Sequence, residues 1–163
     1  MALHSPELLS PPRWRPWPAL VHAAEALAQR LRPQPPANRD QRVGERAEEI
    51  AYWSLREHGY TIVARNYRPG SGSPEPAGEI DLIAWEGSPP CLVFVEVKAS
   101  GSVGQFALED RLDQAKRLQL ASLASQFCRR RGHSGPYRFD AVTVDGPFER
   151  RPLIQLYRDA FDA

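Results

Sequence analysis

Three charged side chains sit in two otherwise apolar runs. Glu96 and Lys98 close the run Leu92-Val93-Phe94-Val95-Glu96-Val97-Lys98, and Asp81 lies in the run Gly78-Glu79-Ile80-Asp81-Leu82-Ile83-Ala84. Both runs have strand length and many β-branched residues, and Glu86 to Pro90 between them supplies the Gly, Ser and Pro of a tight connection, so together they read as a β-hairpin. Side chains alternate across a strand, which puts Glu96 and Lys98 on one face while Val95 and Val97 point the other way. An antiparallel register about the turn could bring the Asp81 carboxylate near that of Glu96. Two carboxylates and one ammonium grouped in this way can hold a hard divalent cation on oxygen ligands and leave a lysine to meet a nucleophilic water or developing charge. The plainer alternative is an exposed ion pair on a fraying strand end, worth little, with Asp81 a turn residue. An isolated Glu-x-Lys would be read that way; the preceding Asp in the same apolar setting favours a site.

The elements that would position these groups can be followed along the chain. Asp40 is a candidate N-cap, Val43, Ala47, Ile50, Ala51 and Leu55 recur at helical spacing, and Gly59 stops the helix. Glu48 lies at the edge of that apolar stripe, where its carboxylate could reach the site or, like Glu45 and Glu49, simply be solvated. Thr61 to Tyr67 is a β-branched strand followed closely by Arg68, and residues 69–77, rich in Gly, Ser and Pro, form a loop leading into the Asp81 strand. That loop either shapes a substrate or is a tolerated insertion. After Lys98, Gly101 and Gly104 mark a break before a helical pattern that runs to about Arg131, with Lys116, Leu120, Leu123, Ala124 and Phe127 on one stripe. Lys116 heads that stripe, directed either at the polar end of the sheet or out to solvent. Arg129, Arg130 and Arg131 suit a helix C-terminus without any ligand. Tyr137 to Val144 and Leu153 to Tyr157 are two more strands, separated by Asp145-Gly146. Helix, three strands, helix and two strands predict an α/β domain, a mixed sheet flanked by helices.

Residues 1–38 differ from the rest. Prolines, among them Pro11, Pro12, Pro16, Pro18, Pro33, Pro35 and Pro36, punctuate them and bracket a helix-like segment, Ala19 to Arg32, so they read as an N-terminal appendage to a domain spanning 39–163. Trp14 and Trp17 among Arg13 and Arg15 could stack on bases or cover an apolar patch, and the extension is also a candidate for binding another protein. With 21 Lys plus Arg against 20 Asp plus Glu, net charge says nothing about nucleic acid; only a local basic face could. Cys91 and Cys128 stand in apolar surroundings without metal-ligand spacing, as suits free thiols in a reducing cytosol. No run has the length of a membrane span and the first residues lack a signal-peptide pattern, so a soluble cytoplasmic protein is expected. There is no internal repeat, Gly-rich phosphate loop, Ser or Cys nucleophile motif, or His pair at ligand spacing; His4, His22, His58 and His133 are expected on the surface.

The chain resembles the YraN-like family of uncharacterised bacterial proteins. The resemblance rests on Gly44-x-x-x-Glu48-x-x-Ala51, Gly59-Tyr60, Arg65-Asn66-Tyr67-Arg68, the runs containing Asp81 and Glu96-Val97-Lys98, Lys116, Arg138-Phe139-Asp140 and Asp159-Ala160-Phe161, and covers residues 41–163. That family is similar to archaeal Holliday-junction resolvases within the PD-(D/E)XK nuclease-like superfamily, which implies a restriction-endonuclease-like core. It also implies metal-dependent hydrolysis of phosphodiester bonds in DNA or RNA. On this resemblance Asp81 and Glu96 would be ligands for Mg²⁺ or Mn²⁺, Lys98 would orient or activate the attacking water, and Glu48 would match an additional helical acid. Arg65, Arg68 and Lys116 are candidate nucleic-acid contacts, and a resolvase-like role would call for a homodimer with two sites on a twofold axis. The alternative is a module of the same fold that recognises nucleic-acid structure without cutting it, or an interaction protein. Residues 69–77 are longer than the family's usual link into the Asp81 motif, and the first forty or so residues have no counterpart in it.

Overall fold

The run that ends in Glu96 and Lys98 is buried on both faces because it lies inside the sheet. The structure, a computed structural model, describes residues 6–10, 38–69, 78–100 and 114–162. Their elements, in chain order, are β1 (Glu7–Leu9), α1 (Arg39–Glu57), β2 (Thr61–Tyr67), β3 (Ile80–Glu86), β4 (Cys91–Ser100), α2 (Gln114–Arg131), β5 (Tyr137–Asp145) and β6 (Leu153–Tyr157). The sheet has six strands in the order β1-β6-β5-β4-β3-β2. The β3–β4 hairpin is antiparallel, whereas β4 and β5 run parallel and so need a crossover, on which α2 lies. This is the mixed, helix-flanked α/β sheet expected from the pattern of the chain.

Alternation divides the core into two layers. Leu82, Ala84, Val93, Val95, Val142 and Val144 pack with Ala47, Ile50, Ala51 and Leu55 of α1. Ile83, Leu92, Phe94, Phe139 and Ala141 pack with Leu120, Leu123, Ala124 and Phe127 of α2, and there Phe94 meets Phe127 edge to face and Phe139 at a tilt, while Phe139 stacks on Phe161. Truncating a buried side chain of this size typically costs about 3–5 kcal/mol, so either layer is essential to the fold.

Three details depart from the sequence reading. The N-cap of α1 is Asn38, whose side chain accepts the Gln41 N–H at 2.9 Å, and not Asp40, which lies in the first turn where its charge suits the helix dipole. Within the Pro-rich N-terminal segment, Glu7–Leu9 pairs antiparallel with β6 at the sheet edge, buries Leu9, and brings the Ser10 carbonyl to the hydroxyl of buried Ser54. His58 and His133 are half-buried rather than on the surface: the first caps α1, and the second sits edge-on to Trp85. The proposed helix 19–32, Trp14 and Trp17, the loop from residue 70 to 77, and Gly101 and Gly104 lie outside the described residues.

Candidate metal centre at the end of the central hairpin

The hairpin ladder runs from Glu86↔Cys91 to Leu82↔Val95, and the next step of the same register sets Asp81 across from Glu96. There the side chain takes over from the backbone: Val97 N–H donates to Asp81 Oδ2 at 2.6 Å. This bond ties the Asp81 carboxyl to the strand that carries Glu96. Both acids are buried, Asp81 at 7% and Glu96 at 3% exposure. Burial, and then the charge of Glu96, push the Asp81 carboxyl up to about 8, with the Val97 N–H and Lys116 pulling the other way.

Glu96 is held unevenly. Lys98 Nζ lies 2.9 Å and Lys116 Nζ 3.1 Å from the same oxygen, Oε1. Lys98 reaches it by the strand alternation that puts residues two apart on one face, and Lys116 reaches it from the first turn of α2 in the neighbouring layer. The other oxygen, Oε2, is buried and has no hydrogen-bond partner. A buried carboxylate oxygen without a partner is costly, and a cation bound there would remove the cost. With Asp81 next to it, the donor set is hard oxygen, which suits Mg²⁺ or Mn²⁺ and not zinc. Among the described residues no group of three His, Cys, Asp or Glu side chains is placed to hold a metal ion. Mg²⁺ does not need one, since it is commonly bound by one or two carboxylates with water and substrate phosphates completing the shell.

Glu48 is half-buried on α1, close enough to Asp81 for their charges to interact. Burial raises its carboxyl above the usual range against a 2.8 Å hydrogen bond donated by Asn66 Nδ2. Asn66 was not singled out as a site residue from the sequence. Its φ of 47° is left-handed, a conformation that Asn tolerates better than most residues, and it ends β2 with its amide turned to Glu48. Arg68 pairs with Glu79 at 2.7 Å, and the Arg65 guanidinium lies 4.5 Å from the centre of the Tyr52 ring, so both candidate contacts have partners within the chain. Gly78, which opens the Asp81 run, lies against α2: a Cβ there would come within 2.6 Å of Gln119 Nε2, the flexible end of a side chain that can shift to admit it.

A second polar cluster uses residues that the sequence marked only by resemblance. Asp140, fully buried, accepts from Tyr60 Oη at 2.9 Å, Arg138 Nε at 2.8 Å and the backbone N–H of Asp159 at 3.0 Å. Arg138 and Arg158 also meet on Glu86. Burial and the Asp140 charge hold the Tyr60 hydroxyl well above the usual phenol range, and the Arg158 hydrogen bond holds Glu86 below the usual carboxylate range. These contacts fasten the chain end to the sheet, together with Ala160 N–H on the Phe139 carbonyl and the stacked Phe139 and Phe161 rings.

Among the described residues, no helix is long and apolar enough to cross a membrane. A family profile described as an uncharacterised protein family, UPF0102, matches residues 47–144, a span holding Glu48, Asp81, Glu96, Lys98, Lys116 and Asp140. A UPF0102 protein of Koribacter versatilis is 38% identical over 140 residues, covering 85% of this chain and 92% of the relative. One from Solibacter usitatus is 37% identical, covering 87% and 97%, and one from Symbiobacterium thermophilum is 41% identical, covering 75% and 98%. The chain belongs to the UPF0102 (YraN) family of uncharacterised bacterial proteins.

Proposed function

We propose that this chain is a nucleic-acid-binding protein that hydrolyses phosphodiester bonds with the help of a divalent cation, in the manner of the resolvase-like nucleases. The observation that carries the reading is the buried, unpartnered Oε2 of Glu96 beside the raised carboxyl of Asp81. Asp81 and Glu96 would hold Mg²⁺ or Mn²⁺, which when bound supplies positive charge at a scissile phosphate and makes a nearby water more acidic. The remaining work falls to the protein. The Val97 N–H fixes the Asp81 carboxyl, so little reorganisation is needed for it to act as a ligand. Lys98, carried by the rigid central strand, offers an ammonium to the charge that develops on the phosphoryl oxygens. Glu48 is set apart from the other two acids, and burial raises its carboxyl, the direction that favours taking up a proton.

Arg65, laid over Tyr52, presents a planar cation at the β2 edge, and α2 carries Lys116, Arg117 and three terminal arginines with no acid, so these surfaces are the ones to meet a phosphate backbone. A resolvase-like reaction makes paired cuts, and a homodimer bound to branched DNA is expected; light scattering that finds a monomer on its substrate would remove that part.

The competing reading is a module that recognises nucleic-acid structure without cutting it. One observation favours it: two ammonium groups already neutralise Glu96 without any metal. Incubating the full chain with branched, single-stranded and duplex DNA and RNA, with Mg²⁺ or Mn²⁺, separates the two. Cleavage of any substrate that falls at least about a hundredfold in Glu96→Ala and Lys98→Ala supports hydrolysis. Tight structure-selective binding with no cleavage in either cation supports the silent module.

A further inference from the structure

The outermost strand of the sheet breaks its alternation just where it passes the candidate site. Ile62 of β2 packs toward α1, and unbroken alternation would turn Ala64 to the same side and Arg65 to the other. The register shifts between Ile62 and Ala64, so Ala64 packs in the α2 layer and Arg65, set opposite Leu82, faces α1. The bulge brings the Arg65 guanidinium to 4.5 Å from the centre of the Tyr52 ring, and the next residue, left-handed Asn66, gives its amide to Glu48. Tyr52 stands one helical turn beyond Glu48, so ring and acid are neighbours on α1. Tyr52 is a fixed support: Arg56 Nη1 donates to its hydroxyl at 2.6 Å, Trp53 meets its ring edge to face at 4.9 Å, and it packs against the α1 layer. Arg65 itself is exposed. The charge of Arg65 would serve a phosphate backbone without this support, as a flexible lysine does; a flat cation backed by an aromatic ring suits a second flat group.

We infer that Arg65, backed by Tyr52, is a stacking platform for an unpaired nucleobase of the substrate, beside the acids at the hairpin end. This rests on the nucleic-acid reading above and adds a substrate class to it: strands with a base outside a continuous duplex, as in a bulge or a loop. Within a duplex each base is covered by its neighbours, so only an extruded or single-stranded base has a face to offer. Arg65, held on Tyr52 before any ligand arrives, loses little further freedom when a base stacks on it. The Asn66 bond to Glu48 fixes the bulged strand relative to the acids, so a base stacked on Arg65 sets the register of its strand at the candidate site.

The test measures binding of the full chain, in chelator and again with Ca²⁺, to a duplex, to the same duplex with one bulged nucleotide, and to that bulge with its base removed, each as DNA and as RNA. The platform predicts the bulged duplex bound about tenfold tighter than the other two, with the nucleic acid that shows the preference naming the substrate. Arg65→Lys keeps the charge and loses the flat face, and Tyr52→Leu keeps apolar bulk and loses the ring. Each should bring the bulged duplex down to the affinity of the plain one and leave plain-duplex binding and its salt dependence as they are. Should Tyr52→Leu unfold, Arg65→Lys, at an exposed position, decides alone. A baseless bulge bound as tightly as the intact one overturns the platform in favour of recognition by shape. Arg65→Lys with the parent's preference overturns it in favour of a simple charge contact. If the parent chain binds none of these ligands, the nucleic-acid reading falls and the platform with it; if it binds them without preferring the bulged base, the platform alone falls.

Discussion

Asp140 and Glu96 are both buried acids on neighbouring strands of one sheet, and both are met by cations, yet their surroundings differ in kind. Around Asp140 both oxygens have donors, from Tyr60, Arg138 and the Asp159 N–H. Its neighbours Phe139 and Ala141 face α2, so its own side chain lies toward α1. Around Glu96, on the α2 face, one oxygen is doubly met and the other is bare, and a second acid stands alongside with its carboxyl pushed up to about 8. A saturated network stabilises and specifies the fold, whereas an unsaturated one confines two acids together at a cost that protonation of Asp81 or an added cation would lower. Under the proposed function, the unsaturated cluster is the one that would take a cation.

The largest effect expected from breaking this comparison is at the saturated cluster. Asp140→Ala takes the shared acceptor from the half-buried Arg138 guanidinium, which keeps only Glu86 as an acidic partner, and from the Tyr60 phenol and the Asp159 N–H, and should cost about 3–5 kcal/mol or prevent folding, with no rescue by Mg²⁺. Chemical denaturation with and without the cation measures it. Glu96→Gln should change metal-free stability by only about 1 kcal/mol in either direction, because both lysines can reach solvent and Asp81 loses its like-charge neighbour, while cation binding is lost. Equal destabilisation at the two positions would erase the distinction drawn between them.

A smaller effect sharpens the contrast through pH. The folded-state carboxyl of Asp81 lies above its ordinary value, so its contribution to stability is fully present below about pH 4 and is lost as pH rises through about 8. Asp81→Asn should therefore match the parent chain at acid pH in chelator and become more stable than it, on the order of 2 kcal/mol, above pH 8. Denaturation midpoints across that range read the difference; parallel curves would contradict it. The smallest effect belongs to Asn66→Ala, which removes one half-exposed hydrogen bond to Glu48 and should cost about 0.5–1 kcal/mol while raising the Glu48 carboxyl further. A carbon-NMR titration of Glu48 would report that shift.

The hairpin, its register and the shared face of Glu96 and Lys98 were legible in the sequence because each follows from a local period and a short turn. The two helices were equally legible, since their apolar stripes are the buried ones. Other features were hidden for identifiable reasons. β1 is three residues between prolines, too short to show a period. The Asn38 cap and the left-handed Asn66 depend on single dihedrals that neighbouring residues do not signal. The Asp140 cluster joins residues some eighty positions apart, a proximity created only by the parallel pairing of β4 and β5. The bare oxygen of Glu96 follows from where two lysines of different layers come to rest, which no spacing encodes.

The most direct test of the central claim is calorimetric titration of Mg²⁺ and Mn²⁺ into the chain and into Glu96→Ala, each in two buffers of different ionisation enthalpy near neutral pH. The account predicts binding at millimolar concentration or below, release of about one proton as the Asp81 carboxyl ionises, and loss of both signals in Glu96→Ala. Absence of binding by the unsubstituted chain, or binding that Glu96→Ala leaves unchanged, would show that the acids at the end of the hairpin are not a cation site.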